Sequence, residues 1–410
     1  MEAVDHLMEE YSRIFRYIDE HKPRLLEVAK NLVKIPSENP PGNTKEVAQA
    51  TASFFSELGL HTELIEARSG KVNVVARWEV GGSQMILFNC HLDTVPTMDV
   101  KAWNVDPFSG EVKADWLYGR GAADDKGALA SLLISLKALK ELGMRPSCDL
   151  IVHAVCDEET GGEQGTSYLI NKGHAEADFG FVLEASVKKH RIFVRNAMKG
   201  VMKLKVKAKG RAAHASNPRR GVNATLKLAK VLLALDRIRL RHKPSKYLTA
   251  PTVAVGTIIR GGLKRNVIPD SCYAVCDVRY LPGMSEVTVR QDIEKLIHGL
   301  KRKDPGLDVS LEVGLGKHKP AQLGEKEDVV SMAKEAIRKV VGYEPKLHGG
   351  YGATDAAQLI HDARIPTLIG LGPGDIELSN IHGPNERVSV RAMLEFSKVY
   401  ALLAVSSLYI

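Results

Sequence analysis

The chain has 410 residues, of which 44% are hydrophobic and 26% charged, and its formal net charge is +8. This composition is typical of globular proteins and excludes a disordered chain, a collagen-like repeat and a small disulfide scaffold. The length predicts about two or three domains. The basic residues do not form the clustered Lys/Arg run that nucleic-acid binding needs. The modest positive electrostatic field that a net charge of +8 produces would attract anionic small molecules.

The cysteines and the apolar stretches predict a cytoplasmic protein. The five cysteines form no CxxC pair, and an odd number indicates free thiols in a reducing compartment. Residues 1–34 carry charges throughout and contain no signal core. The most apolar stretch, 400–410, is shorter than the roughly 20 residues that span a membrane, so we expect a buried C-terminal helix there.

The first half of the chain alternates between predicted helices and strands. Apolar residues at helical spacing predict one helix that contains residues 14–33 and ends before Pro36. Further helices are predicted at about 45–58, 127–142 and 164–171. Strands are predicted at 72–80, 85–89, 149–155 and 179–183. This alternation predicts an α/β domain whose sheet is covered by helices on both faces.

The pattern changes near residue 200. Residues 201–208 alternate, with lysines on one face and apolar side chains on the other, which predicts a sheet covered on one side only. The elements predicted next are a helix at 223–238, strands at 252–259 and 271–280, a helix at 286–300 and a strand at 308–313. This βαββαβ order is that of a ferredoxin-like module. Because the α/β pattern returns from residue 325, we expect residues 200–316 to be an insertion in a domain made of 1–199 and 317–410.

Five segments combine potential metal ligands with the ends of predicted strands, where open α/β sheets place their sites. His91 and Asp93 follow the first of these strands and point the same way at strand spacing, so Asp93 can fix the tautomer of His91. A hydrogen-bonded loop histidine is the alternative. Asp124 lies in a Gly-rich acidic segment before a helix, where the alternatives are a helix N-cap or a phosphate loop. The spacing of the usual phosphate-loop motif is missing.

The other three segments also offer carboxylates or imidazoles. Glu158 and Glu159 follow the strand at 149–155, where one carboxylate can bind metal while the other faces a metal-bound water; a solvated acidic turn is the alternative. Glu184 ends the strand at 179–183. His382 lies in a Gly/Pro-rich loop, where a lone histidine is more often a surface residue.

The order of these segments makes the chain resemble a known family. The segments are HxD at 91–93, GRGAADDKG at 119–127, DEETGG at 157–162, Glu184 and SNIHGPNE at 379–386. They resemble the motifs of the metallopeptidase and deacylase family of acetylornithine deacetylase, succinyl-diaminopimelate desuccinylase, aminoacylase and glutamate carboxypeptidase. The resemblance covers nearly the whole chain. It implies a mixed-sheet catalytic domain of the zinc-peptidase type with an inserted lid and dimerisation domain.

The resemblance also implies a centre of two divalent ions, zinc in the first place and cobalt as an alternative. His91, Asp124 and Glu184 would hold one ion, and Asp124, Glu159 and His382 the other, with Asp124 as the bridge. The donor types agree, because three carboxylates offset the charge of two cations and imidazoles suit zinc or cobalt, whereas calcium prefers oxygen ligands.

Further roles follow from the same resemblance. Glu158 would be the general base and acid, and Asp93 would orient His91. The family motif has Met where this chain has Asp125, so this chain carries one more negative charge beside the metal ions. His214 in the inserted domain would reach the partner subunit of a homodimer and stabilise the oxyanion.

Four residues are implied as substrate contacts: Asn266, Arg279, Gly350 and Thr354. Arg279 is suited to a bidentate pair with a substrate carboxylate, and its alternative is a salt bridge on the strand face. An exposed loop histidine is the corresponding alternative for His214. Gly350 and Thr354 lie in a Gly-rich loop, and turns need glycines as well.

The reaction that the resemblance implies is hydrolysis of an amide bond in an N-acyl amino acid. Glu184 resembles the glutamate of deacylase and carboxypeptidase members, whereas dipeptidases tend to have Asp. A carboxypeptidase or dipeptidase acting on short peptides is the alternative activity. A non-catalytic scaffold is disfavoured, because every implied ligand and the base are present.

Overall fold

The computed structural model describes residues 2–314, 318–350 and 352–406. The chain divides into two compact units. The large unit comprises Met1–Asn196, Leu323–Gly349 and Thr354–Ile410, and the small unit comprises Ala197–Gln322 and Gly350–Ala353. The small unit therefore interrupts the large one, a few residues away from the predicted limits of 200 and 316, and it also takes in a short segment near residue 350.

The helices and strands of the described residues have the following bounds. The helices are α1 (Glu2–Glu20), α2 (Lys22–Val33), α3 (Lys45–Glu57), α4 (Gly127–Glu141), α5 (Thr166–Asn171), α6 (Ala224–Leu235), α7 (Glu286–Lys303), α8 (Asp328–Val341), α9 (Ala356–His361) and α10 (Val390–Val405). The strands are β1 (His61–Arg68), β2 (Lys71–Trp78), β3 (Met85–His91), β4 (Val112–Lys113), β5 (Trp116–Tyr118), β6 (Asp149–Val155), β7 (Phe179–Val182), β8 (Ala185–Lys188), β9 (Arg191–Ile192), β10 (Val194–Met198), β11 (Gly200–Lys209), β12 (Thr252–Gly261), β13 (Ser271–Tyr280), β14 (Asp308–Gly314), β15 (Ala321–Gln322), β16 (Leu347–Gly350), β17 (Thr367–Leu368), β18 (Gly372–Asp375) and β19 (Arg387–Ser389).

The predicted opening helix is two helices, and this part of the prediction is wrong. α1 ends at Glu20, and α2 begins at Lys22 with Pro23 in its first turn. Proline fits the first turn because the N–H that it lacks would have no helical partner there, whereas inside a longer helix it would break the ladder. The apolar periodicity continues across the break because both helices contribute to one core.

The large unit is built on a mixed six-stranded sheet with the order β1-β2-β6-β3-β7-β17. β1, β2 and β6 pair antiparallel, whereas β6, β3, β7 and β17 are parallel. Nearly every residue of β3 and β6 is buried, which requires cover on both faces of the sheet. This confirms the predicted mixed-sheet α/β fold.

The C-terminal helix closes the core of the large unit. α10 packs on α4, and Tyr400 donates a hydrogen bond to the carbonyl of Leu371 (2.7 Å). The rings of Phe88 and Phe181, from adjacent strands β3 and β7, stack beneath it. The predicted buried helix at 400–410 is the end of α10, and residues 407–410 lie outside the described part of the chain.

The small unit is an antiparallel sheet with the order β12-β13-β11-β14, covered by α6 and α7. The strand β11 buries its apolar side chains and turns its lysines outward, as its alternation predicts. The buried partners on the helices include Leu228, Val231, Val289 and Ile293. This order and the βαββαβ sequence of elements are those of a ferredoxin-like module.

Two further features concern the helices and the cysteines. No helix among the described residues is long and apolar enough to cross a membrane. All five cysteines are buried, and none forms a disulfide.

Candidate active site

The parallel strands of the large unit bring distant parts of the sequence together. β3 ends at His91, the turn that carries Glu158 and Glu159 follows β6, and Glu184 comes two residues after the end of β7. Because the carboxyl ends of parallel strands meet at one edge of a sheet, these side chains converge there. The site therefore lies at this edge of the sheet.

Asp124 lies between the two predicted histidine ligands. It lies in a π-helical segment, Ala122–Lys126, just before α4, and its own backbone is not helical. One carboxylate oxygen is 2.9 Å from Nε2 of His91, and the other is 3.1 Å from Nε2 of His382. The implied bridge thus has the geometry that a bridging carboxylate needs, with one oxygen directed to each imidazole.

Each histidine also faces a second carboxylate. Nε2 of His91 is 3.9 Å from Oε1 of Glu184, and Nε2 of His382 is 3.3 Å from Oε1 of Glu159. Ligand atoms of His91, Asp124 and Glu159 all lie within 4.8 Å of one another. The structure therefore brings together all five residues implied as metal ligands.

The electrostatics of this cluster call for positive charge. Burial, followed by the charge of Asp124, raises the pKa of Glu184 to about 8. Burial and Glu184 likewise raise the pKa of Glu158 well above its usual value. The hydrogen bond to Asp124 and the negative charge of nearby Glu159 raise the pKa of His382 to about 10, because a proton on the imidazole offsets some of the crowded negative charge.

The donor set fits a pair of divalent cations. Oε1 of Glu159 is buried and has no hydrogen-bond partner among the described residues, although it points toward His382. A buried carboxylate oxygen without a donor costs free energy that a cation would recover. Two imidazoles and three carboxylates are the ligand types that zinc and cobalt accept.

The nearer acceptor for His91 is the backbone carbonyl of Asp93, whereas the sequence predicted its carboxylate. Nδ1 of His91 lies 2.8 Å from the backbone carbonyl of Asp93, whereas the carboxylate is 3.6 Å away. The main chain therefore supplies the acceptor that fixes the ring. The carboxylate instead accepts backbone N–H bonds from Glu158 (3.1 Å) and Glu159 (3.2 Å) and an amide N–H from Asn39 (2.8 Å). Asp93 thus holds the turn that carries the predicted base.

The small unit holds most of the predicted substrate-binding residues. His214 is exposed, and its Nδ1 is 2.7 Å from Oγ of Ser216. The next residue, Ala215, donates its N–H to the carbonyl of Asn266 (3.0 Å), so His214 and Asn266 lie on adjoining loop segments. Arg279 forms a salt bridge with Asp277 (2.7 Å). Such a salt bridge on the strand face is the alternative to the predicted contact with a substrate carboxylate.

The Gly-rich loop gives the weakest agreement with its predicted role. Gly350 is half-buried at the end of β16. Thr354 is fully buried, and its hydroxyl donates to the carbonyl of Ile369 (3.0 Å). The Thr354 side chain is thus buried and hydrogen-bonded within the protein, and its predicted substrate contact stays a prediction.

Three residues of the site were not assigned a role from the sequence. Arg195 is buried with Nη1 3.8 Å from Oε2 of Glu184, and nothing in the local sequence pointed to it. Arg120 and Glu386 form a buried ion pair. Arg120 lies in the GRGAADDKG motif and Glu386 in the SNIHGPNE motif. The two residues are 266 positions apart in the sequence, so the fold sets their pairing and no local pattern predicts it.

The model of peptidase family M20/M25/M40 matches residues 87–406. The chain belongs to this family. The match spans every residue of the carboxylate–histidine cluster, from His91 to His382. The resemblance drawn from the five motifs is confirmed.

Individual relatives agree with this assignment. Acetylornithine deacetylase from Vibrio parahaemolyticus is 30% identical over 388 residues, covering 90% of this chain and 94% of that protein. N-formyl-4-amino-5-aminomethyl-2-methylpyrimidine deformylase from Bacillus subtilis is 29% identical over 409 residues, covering 93% and 94%. An M20 family metallo-carboxypeptidase from Sulfolobus solfataricus has a similar fold, with a TM-score of 0.80 at 21% identity over 93% of this chain and 98% of that chain. The chain is accordingly a metal-dependent hydrolase that acts on amide bonds.

Proposed function

We propose that this M20 hydrolase removes the acyl group from an N-acyl amino acid, using two divalent metal ions, zinc in the first place and cobalt as the alternative. The observation that carries the proposal is the position of Asp124 between His91 and His382, with Glu184 and Glu159 beside them. Both relatives described above are named for removing an acyl group from nitrogen, whereas the likeness to a carboxypeptidase concerns the fold. This difference favours a deacylase over a peptidase.

The residues of the chain divide the chemistry among them. Two bound divalent ions would polarise the scissile carbonyl and lower the pKa of water. Glu158 would accept the proton of the attacking water and pass it to the leaving nitrogen, a transfer that needs one carboxylate within reach of both atoms. The two N–H bonds from the 158–159 turn to Asp93 hold Glu158 in place for this transfer.

The substrate is proposed to be small and anionic. The net charge of +8 favours an anion, although the salt bridge of Arg279 with Asp277 removes Arg279 as independent support for a carboxylate contact. The five free cysteines favour the cytoplasm as the place of the reaction.

A substrate panel tests the proposed reaction. We expect the zinc- or cobalt-loaded enzyme to release free amine from N-acetyl, N-formyl or N-succinyl amino acids with a higher kcat/KM than from unblocked dipeptides and tripeptides. The measurement is amine release over the whole panel, with chelator-treated enzyme as the control. Preferential cleavage of unblocked peptides would support the peptidase alternative and reject the deacylase.

We also propose that the chain forms a homodimer through the small unit. α6 exposes Leu226 and Leu233, each more than 60% accessible, and β12 exposes Ile258 and Ile259. β12 is an edge strand of its sheet, and exposed apolar residues beside an open edge favour pairing with another chain. A second copy of this chain is the occupant that the family resemblance implies.

Mixing two inactive variants tests whether His214 acts on the partner subunit. We expect His214→Ala and Glu158→Gln to be nearly inactive alone, because each site then lacks one group. Random exchange of subunits makes about half of the dimers mixed, and each mixed dimer regains one intact site, so about one quarter of the wild-type activity should return. Mixing that restores no activity, although light scattering shows exchanged dimers, would mean that His214 serves its own subunit or no site.

A further inference from the structure

We propose that the buried Arg120–Glu386 ion pair is a clamp that sets the position of His382 relative to Asp124, and thereby controls the affinity of the metal site that these two residues share. The inference rests on the proposed metal centre and assigns it two positioning residues that are not ligands. The clamp is defined as Arg120 and Glu386 with the hydrogen bonds that they make.

The contacts of the clamp cross between the two ligand-bearing loops. Glu386 belongs to the loop of His382, and its Oε1 accepts the backbone N–H groups of Ala123 (3.0 Å) and Asp124 (3.2 Å). Arg120 belongs to the loop of Asp124, and it pairs with Glu386 and donates to the carbonyl of His382 (3.3 Å). Each loop therefore holds the backbone of the other directly at its metal ligand.

The His382 loop depends on such contacts for its conformation. Asn380, His382 and Asn385 all have left-handed backbones, with φ of 51°, 64° and 58°. Residues other than glycine rarely adopt this backbone conformation, so tertiary contacts must stabilise it. The side chain of His382 is itself 53% exposed, and packing alone does not fix it.

Arg120 is fixed from its other side. Its Nη2 also donates to the carbonyl of Pro96 (3.2 Å), and its guanidinium lies 5.3 Å from the ring centre of Trp103. Both side chains of the clamp are only 1% exposed. An arginine whose planar guanidinium has this many partners has little conformational freedom. Arg120 can therefore hold the two ligand-bearing loops at a fixed separation.

The clamp should act on one metal site more than on the other. His91 ends the central strand β3, which pairs with β6 and β7, so the sheet fixes its position. His382 has no strand of its own and depends on the loop contacts. Loss of the clamp should therefore weaken the site of Asp124, Glu159 and His382, and leave the site of His91 and Glu184 closer to its original affinity.

Four variants of the full-length protein test the clamp: Glu386→Gln, Arg120→Met, the double variant, and Arg391→Met as a control. Arg391 makes an exposed ion pair with Glu395 on α10, so its loss removes an equal charge without touching the site. For each variant we would measure Co²⁺ affinity and stoichiometry by titration calorimetry, and the melting temperature of the metal-free protein.

We expect the single variants to weaken one of two metal equivalents by about 10- to 100-fold, the usual effect of removing a group that orients a ligand. The double variant should regain melting temperature, because it leaves no buried charge unpaired, but it should keep the weak site. Wild-type affinity at both sites in Glu386→Gln, or recovery of both stability and affinity in the double variant, would overturn the clamp. A single variant that does not fold leaves the decision to the double variant.

The same titration separates the two proposals. A wild-type protein that binds no Co²⁺ would reject the proposed metal centre itself. A wild-type protein that binds two equivalents, with clamp variants that bind like Arg391→Met, would reject the clamp and leave the proposed function standing.

Discussion

Replacing Glu158 with glutamine is expected to lower kcat by about 10²- to 10⁴-fold, the usual contribution of a general acid–base group, while both metal equivalents stay bound. Glutamine keeps the size of the side chain but cannot take a proton from water at neutral pH. The KM should change little, because the lost interaction is with the transferred proton and not with the substrate. Steady-state kinetics together with metal analysis of the purified variant provide the measurement.

This experiment decides between two roles that the geometry permits. Ligand atoms of His91, Glu158 and Glu184 also lie within 4.8 Å of one another, so position alone would allow Glu158 as a metal ligand. The two roles predict different losses in the variant. If Glu158 is the base, Glu158→Gln loses turnover and keeps its metal ions. If Glu158 is a ligand, the variant loses both. Glu159→Gln supplies the contrast, because Glu159 is the carboxylate that faces His382 and its loss should reduce metal content.

A matched control lies in the same acidic segment. Glu163 is exposed five residues after Glu158 and is not one of the implied metal ligands, so Glu163→Gln removes an equal charge from the same segment. That variant should keep the wild-type kcat. Normal turnover in a metal-loaded Glu158→Gln enzyme would contradict the assigned role, and loss of metal in that variant would reassign Glu158 as a ligand.

Residues that follow the strands of the sheet were predictable, because their positions depend on local patterns. An apolar run predicts a buried strand, and the next polar residues then fall at its carboxyl end, as His91 and Glu184 do. The break in the opening helix at His21 was not predicted, since the apolar face continues through both helices. The only sequence signal for the start of a second helix is Pro23, because proline is tolerated in the first turn of a helix.

Contacts between distant loops were beyond sequence reasoning. The carboxylate of Asp93 was expected to bond His91, yet the backbone carbonyl of the same residue takes that place, and spacing alone cannot distinguish the two acceptors. Likewise, nothing local pairs Arg120 with Glu386. Such contacts depend on how loops fold over one another, and they decide the exact geometry of ligands that the motifs already identify.

Replacing Asp124 with asparagine is expected to leave at most one tightly bound metal equivalent. The carboxylate directs one oxygen toward His91 and the other toward His382, whereas an amide offers one acceptor oxygen and a nitrogen that cannot bind a cation. Because a bound metal contributes several kcal/mol of transition-state stabilisation, kcat should fall by about 10²- to 10⁴-fold. Calorimetric titration and kinetics on the same preparation would measure both effects.

The adjacent residue provides the control for this loss. Asp125 is fully buried, neither of its carboxylate oxygens has a hydrogen-bond partner among the described residues, and burial raises its pKa well above the usual value. Asp125→Asn keeps the shape of this side chain and changes a carboxyl group that is not among the implied metal ligands. We expect that variant to keep two metal equivalents and most of its activity. Two tightly bound equivalents in Asp124→Asn would contradict the bridge, because each cation would then have sufficient ligands without a shared carboxylate.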